Sequence, residues 1–124
     1  LEYVVKNANN EQAAESKYTM AKMYYLKGNK KQAEKDCNDY LDKFPSYEYY
    51  LGKTFILLSD IYKDDKKLLQ AKATLQSLLD NYSQDDDVKA EAQQKLDAII
   101  ASEMDGSKLK LQDNGTQMQF ENNK

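Results

Sequence analysis

The chain has 124 residues and a net charge of -3, with 18 basic and 21 acidic side chains, ten Tyr, one Cys, one Pro and no His or Trp. Every basic residue is Lys, so the chain lacks the commonest proton shuttle and metal ligand and the forked donor that grips phosphates. Lys and acids are interleaved, which leaves no basic footprint for nucleic acid.

The length is that of about one domain, and the scarcity of Gly and Pro favours helices over sheet. Residues 1–6 carry Leu1, Tyr3, Val4 and Val5 before the polar run Asn7-Ala8-Asn9-Asn10, and read as the stub of a preceding helix. A first complete helix is predicted from Glu11 to Lys27, with Ala14, Lys17, Met20, Ala21 and Tyr24 turned inward at steps of three and four. Gly28 and Asn29 stop it, Gly being suited to the left-handed residue that closes a helix. The second, Lys30 to Lys43, presents Ala33, Cys37, Tyr40 and Leu41, and ends ahead of Pro45.

A third helix is predicted over Tyr47 to Lys63 with Leu51, Phe55, Leu58 and Tyr62 inward, and a tight turn at Asp64-Asp65-Lys66-Lys67. The fourth, Lys67 to Tyr82, carries Ala71, Leu75, Leu78 and Leu79. The fifth, Asp86 to Glu103, offers Val88, Ala92, Leu96, Ile99 and Ile100, and Asp85-Asp86-Asp87 reads as its start, where the helix dipole favours acids. Beyond it the period changes to two. Leu109 and Leu111 alternate with polar residues, as do Met118 and Phe120, and Asn114-Gly115 between them predicts a β-hairpin in the tail 104–124.

The helices are copies of one another. At an offset of thirty-eight residues Met20 meets Leu58 and then Leu96, Tyr24 meets Tyr62 and then Ile100, Ala33 meets Ala71, and Cys37 meets Leu75. Such a period implies units that bury their apolar faces only by stacking. Residues 11–45 form one repeat, 46–83 a second, and 85–103 a half-repeat that caps them. From Ala14 to Pro45 the spacing of Ala21, Tyr24, Gly28, Ala33, Cys37 and Pro45 resembles the tetratricopeptide repeat (TPR), and Phe55, Leu58, Ser59, Tyr62, Ala71 and Leu75 carry the resemblance through a second copy. The departures are Lys66 where Gly is usual, Ser83 where Pro is usual, Tyr40 and Leu78 at a position normally small, and about one extra helical turn between copies.

The resemblance implies an all-α solenoid of two helix pairs plus a capping helix, whose concave groove receives a protein or peptide. It also implies non-catalytic work. Motif positions carry Glu15, Tyr18, Lys22 and Tyr25 onto that groove from the first copy, and Lys53, Ile56, Asp60 and Lys63 from the second. Glu91, Gln94 and Ala98 follow by the same shift. The alternative is a solvated helix face with ordinary charge pairs such as Lys22 across from Asp60, and Tyr47, Tyr49 and Tyr50 are expected to cover the seam between repeats. The Lys and Asn pattern of TPRs that bind chaperone tails is not reproduced. The long period and the Lys, Asn and Tyr usage look like bacterial envelope TPR proteins, which implies a periplasmic or envelope-associated location, with a cytoplasmic one as the alternative.

Other chemistry has little to stand on. Cys37 has no partner for an internal disulfide, and on an apolar stripe it reads as a buried structural thiol. No apolar run reaches the roughly eighteen residues of a membrane span. No cofactor or metal site is predicted, and no nucleophile has a base beside it. The second reading of the chain is structural: a C-terminal cap of a larger array, or a homodimer joined through the tail hairpin.

Overall fold

The computed structural model describes residues 11–118, with side chains as far as residue 106, and contains five α-helices. They are α1 (Ala13–Leu26), α2 (Lys30–Lys43), α3 (Glu48–Asp64), α4 (Leu68–Asn81) and α5 (Asp87–Met118). The predicted boundaries of the first four agree to within one or two residues. The predicted stub at residues 1–6 lies outside the described residues.

The two hairpin turns are the same object made from different residues. After α1 the N–H of Gly28 donates to the carbonyl of Tyr25 at 3.0 Å, and that of Asn29 to Tyr24 at 2.9 Å. After α3 the N–H of Lys66 donates to Lys63 at 2.9 Å, and that of Lys67 to Tyr62 at 2.8 Å. This bond pair is a Schellman closure, which requires a left-handed residue. Gly28 provides it at φ 87° and Lys66 at φ 64°. The substitution of Lys for Gly therefore leaves the turn intact, at a backbone cost of about 1 kcal/mol. Asn29 also accepts from the N–H of Gln32 and so caps α2, whereas Lys67 provides α4 with no side-chain cap.

Packing follows the thirty-eight residue register. Helix α1 pairs with α2 and α3 with α4, while α2 meets α3 and α4 meets α5. Helices α1, α3 and α5 touch in sequence along one face, but α2 and α4 make no contact with each other. The stack is thus two-layered, with its inner layer drawn together and its outer layer splayed. The small positions allow this approach: Ala14, Ala21, Ala33, Ala71 and Ala92 are all fully buried or nearly so. Helix α3 divides the core, turning Leu57, Leu58 and Ile61 toward α1 and α2, and Ile56 toward the cluster of Leu75, Leu78, Val88, Leu96 and Ile99. Cys37 is buried as expected, and burial pushes its thiol up to about 12.

Two departures from the repeat pattern acquire physical reasons. Tyr40 is fully buried at a position where the resemblance implied a small residue, and its hydroxyl donates to the carbonyl of Tyr47 at 3.1 Å. The extra turn opening α3 thus lies against the oversized residue. Ser83, at the position that Pro45 holds in the first hairpin, donates its backbone N–H to Glu48 at 2.7 Å and its hydroxyl at 2.6 Å. Proline has no N–H and could make neither bond.

Gly52 was not singled out in the sequence, yet it sets how closely α5 approaches α3. A methyl group there would lie 2.6 Å from Val88 Cγ1 and 3.1 Å from the Tyr82 ring. The start of α5 is fixed over it by Asp86, whose carboxylate accepts from the N–H groups of Val88 and Lys89 and from the Tyr82 hydroxyl. Within the acidic triplet, Asp86 is therefore the helix cap.

Two expectations need correction. Met20 does not share the burial of Leu58 and Leu96; it is 44% exposed, against 4% and 5%. Its row is covered in the later helices by the preceding pair, and α1 has no described pair on that side. The tail does not form a hairpin through its described part, because α5 runs unbroken to Met118 and takes Asn114-Gly115 with it. A helix already anchored by Val88 to Ile99 extends at the cost of one residue per hydrogen bond, while a lone hairpin is marginal in water. Leu, Lys, Gln and Met in this stretch are also good helix formers. The homodimer contact assigned to that hairpin loses its basis. Among the described residues there is no strand, and no helix is long and apolar enough to cross a membrane.

Candidate partner-binding groove

The inner layer bears a depression of about 220 Å³ lined by Tyr18 and Lys22 from α1, Lys53, Ile56, Leu57 and Asp60 from α3, and Glu91 from α5. Residues three and four apart on a helix share a face. That spacing brings Tyr18 with Lys22, and Lys53 with Ile56 and Asp60, to one surface. Ile56 and Leu57 are almost fully buried and form the floor. Of the eight residues that the repeat register assigned here, Tyr18, Lys22, Lys53, Ile56 and Asp60 converge on this depression, as does Glu91 from the capping helix.

Glu15, Tyr25 and Lys63 lie outside the lining. Tyr25 is turned along α3, where its hydroxyl donates to Asp64 at 2.6 Å. Glu15 is exposed and acts on the hydroxyl of Tyr50. Lys63 is exposed on the last turn of α3.

Aromatic rings enclose the two groove lysines. The Lys53 ammonium sits 5.5 Å from the centroid of Tyr18 and 5.4 Å from that of Tyr49, and Lys22 lies 5.8 Å from the Tyr25 ring. Each such contact contributes about 0.5–1 kcal/mol at partly exposed sites. Tyr50 continues the aromatic wall, edge-on to Tyr49 at 5.1 Å and tilted to Tyr18 at 6.3 Å. Tyr49 and Tyr50 flank the depression without lining it, and Tyr50 against Tyr18 crosses the seam between repeats that the cluster was expected to cover. Their position one turn before Lys53 was the signal available in the sequence.

The pair of Lys22 with Asp60 that a solvated face implied is not made. Lys95 takes Asp60 instead, at 3.0 Å, and also lies 3.8 Å from Glu91. Lys95 is one turn beyond Glu91 and so shares its face, but spacing along α5 alone does not bring it to Asp60 on α3.

Burial pushes the Tyr18 hydroxyl up to about 12, with further upward contributions from the charges of Glu91 and Asp60. Tyr25 is raised as well, first by burial and then by its bond to Asp64. Tyr49 is raised chiefly because its hydroxyl donates to Asp87 at 2.9 Å. At neutral pH these hydroxyls are therefore protonated donors, each engaged with or facing a carboxylate.

No family model matches the chain, and no curated protein or solved structure matches it.

Proposed function

We propose that the chain is a TPR-like interaction module that receives an extended segment of a partner protein along the inner face of α1, α3 and α5. The observation that carries this reading is the convergence of Tyr18, Lys22, Lys53, Ile56, Asp60 and Glu91, from three helices, on one depression. Tyrosines give large contact area at low entropic cost, and a rigid helical layer holds them in place before binding. Nothing in that lining pairs a nucleophile with a base, so the reading is one of binding.

The test is the double variant Tyr18→Ala with Lys22→Ala. Specific capture of a partner should disappear while the melting temperature stays within a few degrees. Undiminished capture by a folded double variant rejects the groove.

The alternative of a cap that closes a stack has less support. A capping unit presents a polar outer face, whereas the outer side of α4 and α5 leaves Leu69 77% exposed, Met104 66% and Ile100 39%.

A further inference from the structure

The hydrogen-bond inventory of the groove is lopsided. Every carboxylate around it already has a donor. Asp60 and Glu91 have Lys95, Asp64 has the Tyr25 hydroxyl and Lys30, Asp87 has the Tyr49 hydroxyl, and Glu15 acts on that of Tyr50. Lys22 and Lys53 differ. Both are half-buried, both line the depression, and among the described residues neither ammonium has a carboxylate or any other hydrogen-bonding acceptor. Ring faces hold them, but a ring satisfies none of the three N–H donors on each ammonium. The groove therefore presents two cations without a protein acceptor, while its acids are already paired.

From this we infer that the occupant is acidic: an extended segment that places the side-chain carboxylates of Glu or Asp against Lys22 and Lys53, with apolar neighbours over Ile56 and Leu57. This rests on the groove reading and specifies the chemistry of its ligand. An ammonium holds a carboxylate as a point charge, without the bidentate geometry that Arg would impose. That tolerance suits side chains on an extended segment, each free to adjust its own rotamer. A partly desolvated cation also gains more from such a pairing than an exposed one, because less water screens it. The chain as a whole carries -3, so a surface that takes acids is not a by-product of overall charge. Specificity then follows from position, the acidic residues of the segment being steered to two fixed cations.

The test uses a fluorescein-labelled peptide of about twelve residues alternating Glu with Leu, acetylated and amidated at its ends, read by anisotropy on the full chain. It should bind, and raising the salt concentration should weaken it. The matching Gln–Leu peptide should bind about tenfold or more weakly. The variant Lys22→Gln with Lys53→Gln should lose a similar factor, while Lys31→Gln with Lys89→Gln, an equal charge change away from the groove, should lose none.

Equal binding of the Gln and Glu peptides, abolished by Tyr18→Ala, overturns the acidic preference and leaves the groove reading standing. Binding only by a peptide with a free terminal carboxylate overturns the side-chain assignment. Failure of every peptide overturns the acidic assignment, and the groove reading is then decided by partner capture with Tyr18→Ala and Lys22→Ala. If Lys31→Gln with Lys89→Gln weakens binding as much as the groove variant, the attraction is diffuse and the site assignment falls.

Discussion

The two helical hairpins, α1–α2 and α3–α4, share a backbone and the landmarks Tyr24/Tyr62 and Ala33/Ala71, but differ at their turns and at the centre of their cores. Gly28-Asn29 closes the first with a relaxed left-handed residue and a capping side chain, while Lys66-Lys67 closes the second with neither. Cys37 fills the centre of the first where Leu75 fills the second, and both are fully buried. The second hairpin compensates with a larger core, shared by α3, α4 and α5. Turn chemistry and core packing therefore act as alternative sources of the same geometry. Packing should dominate in the second hairpin, and substitutions can separate the two contributions.

The largest effect is expected at the core. Leu75→Ala removes a fully buried side chain and should cost about 2–5 kcal/mol. Cys37→Ala, at the equivalent position, deletes a single sulfur and should cost clearly less. Urea denaturation of both variants with an unchanged m-value checks this. Equal losses would mean that the two hairpins lean on their cores to the same extent.

The next effect concerns α5. Gly52→Ala should destabilise by about 1–3 kcal/mol through overpacking against Val88, although Ala is the better helix former. On a Val88→Ala background, where the methyl in the way is gone, the same Gly52→Ala change should cost much less. A stabilising Gly52→Ala would show that α5 yields, and that the closeness of its approach to α3 is not enforced.

How much of this was legible depends on what periodicity encodes. It located the helices, the small contacts at Ala21, Ala33 and Ala71, and the face that carries Tyr18, Lys22, Lys53, Ile56 and Asp60. Those depend on spacing along one helix. It did not reveal that Lys95 rather than Lys22 takes Asp60, because two cations compete for one acid across helices and only packing decides. Gly52 escaped notice because its role belongs to Val88, thirty-six positions on. The tail misled because alternation in Leu109 and Leu111 favours a strand only when a sheet partner exists, and a helix already growing from Val88 needs none.

The turns provide a smaller and opposite pair of effects. Lys66→Gly relieves the left-handed strain and should stabilise by about 1 kcal/mol, while Gly28→Lys imposes it and should cost about the same. A shift of a few degrees in melting temperature reads both. If Lys66→Gly gives nothing, the Lys66 side chain contributes something at the turn that the backbone comparison omits.

The smallest expected effect distinguishes how each hairpin joins the next helix. The first hairpin ends at Pro45, which has no N–H to offer, whereas the second ends at Ser83, which donates twice to Glu48. Those donors, the hydroxyl first and then the backbone N–H, hold the Glu48 carboxyl below its ordinary value of 4.5. A carboxyl depressed in the folded state contributes stability above its unfolded pKa and loses it as pH falls through the folded one. Glu48→Gln should therefore melt lower than the parent at neutral pH, and the gap should begin to narrow as pH drops past about 4.5. In stronger acid the protonated Glu48 resembles Gln, and the two curves should meet. Ser83→Pro should flatten the parent's own acid response in the same range, because it removes both donors. A gap that stays constant with pH would place the strength of this link in neutral hydrogen bonding, and the second hairpin would then be no more charge-dependent than the first.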